Sequence, residues 1–195
     1  KGIDIVEEFF GVALATDLCG QSRQADLMSA NNVLAHVPNI NDFVKGFSIL
    51  LKPQGVATFE FPHLLRMVQF CQFDTAYHEH YSYLSLTAVQ RIFLANGLDI
   101  FDVEEIGTHG GSLRVFAQRS DSGYHSVHSS VAHVLQTEHE VGIASAAFYR
   151  EFQRQPERIS RELLSFLIAQ AQSGGRVAAY GAAAKGNTML NFAGV

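Results

Sequence analysis

Apolar and polar positions change period repeatedly along the first third of the chain, and the changes predict an α/β order. Residues 25–30 form a short, mostly apolar run that is typical of a buried strand. Apolar residues then recur at helical spacing over 40–51, and Asn39 can cap this helix because its side chain can accept an early backbone N–H. Proline and glycine within 52–55 predict the turn that ends the helix. A strand over 56–61 follows, so this order predicts a right-handed parallel crossover.

The pattern changes character between residues 85 and 118. Polar Ser85 precedes a helical pattern, so we predict a helix over 85–96 capped by its first residue, with Gly97 suited to the position after its end. Two strands follow, over 98–106 and 113–118. The short glycine-rich link at 107–111 favours an antiparallel hairpin, because a parallel return needs a longer crossover.

Further elements are predicted at both ends of the chain. The first residues, 2–9, have the pattern of a strand, and residues 119–130, rich in Ser, His and Gly, indicate a linker. Two helices are predicted over about 127–152 and 157–172, with a proline near the start of the second. A small-residue strand over 176–180 then leads into a glycine-containing turn.

Together these elements predict an α/β fold, with a mostly parallel sheet that ends in an antiparallel hairpin. We expect a partial domain over 1–118, a linker and helical segment over 119–172, and the start of a second, Rossmann-like unit over 173–195. The chain opens within a predicted strand and closes just after a strand–turn–helix start. We therefore expect it to be a piece of a longer protein, incomplete at its N-terminus.

Composition excludes several classes of function. Of the 195 residues, 14 are Lys or Arg and 19 are Asp or Glu, which gives a net charge of −5. No basic cluster provides the electrostatic footprint of nucleic-acid binding, and no apolar run approaches the roughly 20 residues that span a bilayer. Two cysteines, Cys19 and Cys71, do not make a disulfide framework. We expect a cytoplasmic protein that binds neither nucleic acid nor membrane.

The densest candidate site is the run from Tyr77 to Tyr81, which contains His78, Glu79 and His80. It lies in the link between a predicted strand and helix, where such links line the ligand crevice of a parallel sheet. If the run is extended, Tyr77, Glu79 and Tyr81 face one way and both histidines the other. A histidine can take and return a proton near neutral pH, and a neighbouring carboxylate can fix its tautomer. The alternative is a polar, hydrogen-bonded loop that has no catalytic role.

A metal site at the same run is a second alternative. His78 and His80 could share an ion with His63 or His36 as a third ligand. The helical H-E-x-x-H spacing is absent, and catalytic zinc normally has about three protein ligands. We therefore predict no metal at this run.

Polar residues directly after the first buried strand are also candidates. Asn31, Asn32 and His36 are expected over the carboxyl edge of the sheet. Either asparagine could hydrogen-bond a cofactor, and His36 could face a substrate oxygen. The alternative is a turn whose amides face solvent.

Two glycine-containing turns complete the set. The spacing Gly181-x-Ala183-x-x-Gly186 after a strand is similar to a dinucleotide fingerprint, although alanine replaces its second glycine. Lys185 could act as a point charge on a nucleotide diphosphate. In the second turn, His109 precedes two glycines that would let a ligand approach the backbone. The alternative for each is a turn that serves packing alone.

The quoted motifs resemble two protein families, one broad and one specific. The blocks 30–38 and 51–55 look like the fourth strand, helix and fifth strand of class I methyltransferases. The run 73–85 is more specific. With 108–114 and 180–188, it resembles the sugar C-methyltransferases that modify nucleotide-linked deoxy-4-keto-sugars.

The resemblance implies a protein of three parts: a zinc-binding N-terminal domain, a methyltransferase domain and a C-terminal Rossmann-like domain. This chain has no cysteine-rich zinc part, so zinc is expected only outside it. It also has neither the glycine-rich first-strand loop nor the acidic second-strand end that grip S-adenosylmethionine. The cofactor implied is S-adenosylmethionine, and the substrate is a nucleotide-linked keto-sugar.

The resemblance also implies roles for single residues. His80 would remove the proton beside the 4-keto group, and the resulting enolate carbon would attack the cofactor's methyl group. Tyr77 and His36 would bind the keto oxygen, and Glu79 would orient or polarise His80.

Binding roles follow from the same motifs. Asn32, with Asn31, would lie beside the cofactor, and the nucleotide sugar would meet the residues His109, Tyr180, Gly181 and Lys185. A nucleotide-binding module without catalysis and an NAD-dependent oxidoreductase are the alternatives.

Overall fold

Backbone hydrogen bonds between four strands organise the part of the chain that carries the candidate site. The computed structural model describes residues 2–181 and 184–195. Its helices and strands, in chain order, are α1 Val12–Gly20, β1 Ala25–Asn31, α2 Ile40–Leu50, β2 Leu51–Pro62, α3 Leu64–Gln69, α4 Leu86–Ala95, β3 Leu98–Ile106, β4 Ser112–Arg119, α5 Ser129–Glu140, α6 Ala146–Tyr149, α7 Arg154–Gln172 and α8 Ala184–Ala193. Within these ranges no helix combines the length and the apolar character that crossing a membrane demands.

The sheet is open and mixed, with the strand order β1-β2-β4-β3. Strands β1 and β2 pair in parallel through the crossover helix α2, whereas β4 pairs antiparallel with both β2 and β3. The α/β fold and the antiparallel hairpin at the end of the sheet are therefore confirmed. The parallel part is smaller than expected, because the described strands contain a single parallel pairing.

Local capping and aromatic packing explain why the helices form where they do. The Asn39 side chain accepts a hydrogen bond from the backbone N–H of Asp42 at 3.1 Å, and Ser85 accepts one from Ala88 at 3.1 Å. Gly97 has a φ of +85°, as its position after α4 requires. Between helices and sheet, the buried rings of Phe47, Phe59 and Phe93 pack with centroids 4.5 and 4.7 Å apart.

Two strand predictions were wrong, because the predicted segments have no neighbouring strand to pair with in the described part of the chain. Residues 2–9 and 176–180 belong to no strand. A strand needs a neighbour for its backbone hydrogen bonds. The apolar side chains of Ile3, Ile5 and Val177 are accordingly exposed rather than packed on the sheet.

Two further boundaries differ from the predicted ones. The turn predicted over 52–55 was wrong: these residues lie inside β2, where the pairing register with β1 shifts. The single helix predicted over 127–152 is divided, because Gly142 has a φ of +71° and ends the helical path between α5 and α6. The helix predicted over 157–172 begins earlier, at Arg154.

A buried carboxylate joins the two ends of the segment that carries Tyr77–His80. Glu138, on α5, has 0% of its surface exposed. It accepts a hydrogen bond from His63 Nε2 at 2.7 Å, where the segment begins. It also accepts bonds from the backbone N–H groups of Leu86 and Thr87, at 2.7 and 2.8 Å, where the segment ends and α4 starts. The Thr87 hydroxyl adds a bond of 2.6 Å.

This arrangement keeps Glu138 ionised and holds the two ends of the segment together. Burial alone raises the pKa of Glu138, but the hydrogen bonds from His63, Thr87 and Leu86 outweigh it and hold the pKa below its ordinary value. The N-terminus of α4 favours the negative charge further. The helix α5, which follows the sheet, is therefore part of the framework that fixes the candidate site.

Replacing Glu138 should destabilise the protein strongly. In Glu138→Gln an amide N–H would face groups that are themselves donors, so we expect the free energy of unfolding to fall by about 3 kcal/mol. Denaturant unfolding measures this loss. Because the folded-state pKa is lowered, the contribution is present above the ordinary pKa of glutamate and disappears as the pH falls through the folded value.

Glu140→Gln is the matched control for that measurement. Glu140 is exposed on the same helix, and its carboxylate accepts a hydrogen bond from Gln136 at 2.7 Å. Its replacement should change stability by less than about 0.5 kcal/mol. Equal effects of the two replacements would contradict the role assigned to Glu138.

Candidate functional site

A small cavity lies where β1 and β2 end at their carboxyl edge. Its volume is about 90 Å³. Its lining residues come from five separate stretches of the chain: Asn32, Ala35, His36, Pro62, Thr75, Tyr77, His80, His109 and Lys185. Six of the residues singled out from the sequence therefore meet at one place.

A tight turn aims His80 into this cavity. The backbone N–H of His80 donates to the carbonyl of Tyr77 at 3.0 Å, so the run from Tyr77 is a turn and not extended. The alternation of faces considered for an extended run therefore does not apply. A turn brings positions three apart together, and the rings of Tyr77 and His80 lie with centroids 4.4 Å apart.

The tautomer of His80 follows from the hydrogen bond between its ring and a backbone carbonyl. Nδ1 of His80 lies 2.9 Å from the carbonyl oxygen of Thr75. A carbonyl oxygen only accepts, so Nδ1 must carry the proton. In the neutral ring Nε2 then has a free lone pair, which is the form of histidine that can act as a base.

His36 is held beside His80 by the same kind of bond. Its Nδ1 lies 3.0 Å from the carbonyl oxygen of Glu79, so it too must donate from Nδ1. The carbonyl of Ala35 accepts from the N–H groups of Tyr81 and Ser82 at 2.9 and 3.2 Å. These bonds fasten the turn to the short 3₁₀ helix Leu34–His36, and the two imidazole rings lie 4.7 Å apart.

The surroundings of His80 favour its neutral form. Burial lowers the pKa of His80 most, and the neighbouring His36 and Lys185 lower it further. The Thr75 carbonyl and the charge of Glu79 act in the opposite direction but do not outweigh burial. His80 therefore titrates below its ordinary range and is available as a base at neutral pH.

Two residues of the cavity have backbone conformations that side chains rarely adopt. Asn32 has a φ of +55° and His109 a φ of +54°. Both lie in turns at strand ends, Asn32 after β1 and His109 between β3 and β4. Such outliers cluster at functional sites, where the surrounding structure holds them in place.

The helix α8 brings a cation to the cavity. Lys185 lies in the first turn of α8 and lines the cavity with His36, His80 and His109. Farther along the helix, the ring of Phe192 packs against Phe73 at a centroid distance of 5.2 Å. The end of the chain is thereby attached to the turn that carries the candidate base.

Some predicted site residues lie elsewhere. Asn31 is exposed and contacts Ser29 at 3.3 Å, and neither Tyr180 nor Gly181 lines the cavity. Residues 182–183 of the glycine-containing motif lie outside the described residues. The Glu79 side chain is exposed, so the orientation expected from it is supplied by the Thr75 carbonyl instead. Glu79 acts on His80 through its charge.

The expected absence of a metal site was argued from spacing, and the geometry gives a further reason against the three-histidine alternative. His63 is 1% exposed and bonded to Glu138, so it is not directed at His80. Among residues 2–181 and 184–195, no group of three or more His, Cys, Asp and Glu side chains is arranged to hold an ion.

Sequence reasoning missed three contributors to the site. Thr75 acts through its backbone, which no side-chain pattern reveals. Tyr83 lies with its ring 6.0 Å from His80, and burial raises its pKa, which keeps the phenol neutral. Glu60 lies behind the cavity, and it was detectable as the one acid within an apolar strand, β2, just before the carboxyl end.

Comparison with known families agrees with this fold. Residues 4–103 match the family model described as "Methyltransferase domain", and residues 107–195 match "C-methyltransferase C-terminal domain". C-methyltransferase NovU of Streptomyces niveus is 33% identical over 195 residues, which is 100% of this chain and 46% of that protein. The chain thus spans less than half the length of this relative.

Solved structures give only weak similarity. Magnesium protoporphyrin IX methyltransferase from Synechocystis PCC 6803 is 16% identical, with a TM-score of 0.39, over 50% of this chain and 46% of that one. A S-adenosylmethionine-dependent methyltransferase from Clostridium acetobutylicum is 11% identical, with a TM-score of 0.40, over 49% and 58%. These similarities are too weak to bear on function.

The open mixed sheet, with a cavity and polar residues gathered at the carboxyl edge of β1 and β2, defines an α/β protein. The chain belongs to the methyltransferase domain family, continued by the C-methyltransferase C-terminal domain.

Single charge changes should move the pKa of His80 in opposite directions. Glu79→Gln removes a charge that raises this pKa and should lower it. Lys185→Gln removes a charge that lowers the pKa and should raise it. Titration of the His80 ring proton signals by NMR measures both, with Arg91→Gln on α4 as a distant control. Shifts of the same sign in the two variants would contradict the placement of these two charges around His80.

Proposed function

We propose that the protein transfers a methyl group from S-adenosylmethionine to a carbon beside the keto group of a nucleotide-linked deoxy-4-keto-sugar. The observation that carries the proposal is the ring of His80, which lines the cavity and whose Nδ1 is committed to the Thr75 carbonyl, so that in the neutral ring the lone pair lies on Nε2. Methylating such a carbon requires removal of its proton, and the free Nε2 is a base suited to that step. The C-methyltransferase family match supports the same class of reaction.

The chain's own residues can carry the proton and the developing charge. His80 Nε2 takes the proton, the carbon–hydrogen bond breaks, and the electron pair spreads onto the keto oxygen. Tyr77 and the cation of Lys185 are the donors in the cavity that can stabilise this oxygen. His36 Nε2 has no proton while its ring is neutral, since Nδ1 carries it. His36 therefore contacts the keto oxygen as a donor only in its protonated form.

The residues present fit one end of the cofactor. The enolate carbon would take the electrophilic methyl group of bound S-adenosylmethionine, and the sulfur would keep the electron pair of the broken bond. Asn32, which lines the cavity directly after β1, would hydrogen-bond the methionine part. A volume of about 90 Å³ is well below that of a whole small-molecule site. We therefore infer that the cavity would take only the reacting ends of the two ligands.

The substrate class rests on the C-terminal residues. Lys185, in the first turn of α8, can pair with a phosphate or with the keto oxygen, and His109 borders the same space. The NAD-dependent alternative loses support, because a dinucleotide fingerprint requires a strand before its turn and residues 176–180 form none.

Absence of nucleic acid and membrane partners, a cytoplasmic location and zinc outside this chain stay predictions.

Replacing His80 tests the proposed base. In the full-length protein, His80→Asn keeps a polar side chain but removes the base, and we expect methyl transfer to fall at least about 100-fold. Binding of S-adenosylhomocysteine, measured by calorimetry, should stay within a few-fold of the unchanged protein. Methyl transfer is measured with the nucleotide-linked keto-sugar and isotopically labelled S-adenosylmethionine.

His78→Asn is the matched control, because His78 is exposed in the same turn and does not line the cavity. It should retain most of the activity. Full turnover by His80→Asn would remove His80 from the base role. Binding of the nucleotide sugar without any binding of S-adenosylhomocysteine would favour the alternative of a non-catalytic nucleotide-binding module.

A further inference from the structure

A buried carboxylate behind the cavity contacts both of its unusual turns. Glu60 is 6% exposed and lies two residues before the end of β2. It accepts hydrogen bonds from Arg114 Nη2 at 2.9 Å and from the Thr108 hydroxyl at 3.2 Å. The hydrogen bond from Arg114 lowers the pKa of Glu60 most, and hydrogen bonds from Thr108 and Asn32 lower it further against the effect of burial. Glu60 is therefore ionised.

The two turns that Glu60 contacts are the ones whose conformations need support. Asn32 has a φ of +55°, and its backbone N–H also donates to the Glu60 carbonyl at 2.8 Å. Thr108 directly precedes His109, which has a φ of +54°. Left-handed conformations of such residues persist only where neighbouring contacts fix them. Glu60 thus contacts both turns, the first through its backbone carbonyl and the second through its carboxylate, and the Asn32 side chain also lowers the pKa of that carboxylate.

We propose that Glu60 is a positioning residue that sets the cofactor side and the substrate side of the cavity together. It does not line the cavity, so it acts through Asn32 on one side and through the Thr108–His109 turn on the other. The assignment of the two sides rests on the proposed function. The coupling of the two turns rests only on the geometry of Glu60.

The same arginine provides a matched control. Arg114 Nη1 also pairs with Glu104, at 3.6 Å, but Glu104 is about half exposed on β3 and contacts neither turn. Glu104→Gln therefore removes a carboxylate from the same arginine and leaves Asn32 and Thr108 untouched. Glu60→Gln keeps the size of the side chain but removes the charge that accepts from Thr108 and whose pKa the Asn32 side chain lowers.

Amide hydrogen exchange tests the coupling without any ligand. In the full-length protein, Glu60→Gln should speed exchange in residues 31–33 and in 107–111 by about tenfold or more. Glu104→Gln should change exchange at both turns less than twofold. Unchanged exchange in Glu60→Gln, or equal effects of the two variants, would overturn the proposal.

Kinetics and binding test the functional consequence. Glu60→Gln should weaken S-adenosylhomocysteine binding, measured by calorimetry, and raise the KM for the nucleotide-linked keto-sugar, each by about tenfold. Thr108→Val removes only the substrate-side bond, so it should raise that KM and leave S-adenosylhomocysteine affinity within twofold. Replacing a residue that only stabilises the fold would not change the KM for the keto-sugar while leaving the affinity for S-adenosylhomocysteine unchanged.

The outcomes distinguish this proposal from the proposed function. If the unchanged protein turns over no keto-sugar, the proposed substrate is wrong, and hydrogen exchange at the two turns still decides the role of Glu60. If Glu60→Gln does not fold, Thr108→Val carries the test. This variant should speed exchange in residues 107–111 and leave exchange in 31–33 unchanged. Any other result would overturn the proposal.

Discussion

The hydrogen bond between His80 Nδ1 and the carbonyl of Thr75 is the interaction on which the chemistry of the site depends. It is 2.9 Å long and joins two residues five positions apart in one turn. Because a carbonyl can only accept, the bond commits the proton to Nδ1 and leaves Nε2 as a base. Burial lowers the pKa of the ring and keeps that base neutral. Without this bond the ring could adopt the other tautomer, in which Nε2 carries the proton and cannot act as the proposed base.

Larger parts of the fold keep that bond in place. The turn is fastened on one side to the 3₁₀ helix after β1, through the carbonyl of Ala35 and the ring of His36. Farther away, Glu138 joins the start of the segment to its end. The last helix, α8, contacts the same segment through Phe192, which packs against Phe73 just before the turn. Contacts from the sheet edge, from α5 and from α8 therefore all hold the segment that carries this imidazole.

The sequence predicted the sheet and most of the cavity because both depend on local patterns. Period, caps and glycines mark α2, α4 and the antiparallel hairpin, and polar residues at strand ends mark Asn32 and His36. The roles of Thr75 and Glu138 could not be predicted, since one acts through a backbone carbonyl and the other across a long separation in the chain. The strands predicted at 2–9 and 176–180 failed because strand pairing is not local.

Nitrogen-15 NMR of the histidine side chains tests the state of His80 most directly, since it identifies which ring nitrogen carries the proton. Comparison with His80→Asn assigns the signal of interest among the nine histidines. We predict that at neutral pH the His80 ring is neutral and protonated at Nδ1, with an unprotonated Nε2. A ring protonated at Nε2 alone, or at both nitrogens, would contradict the proposed role of His80 as the base.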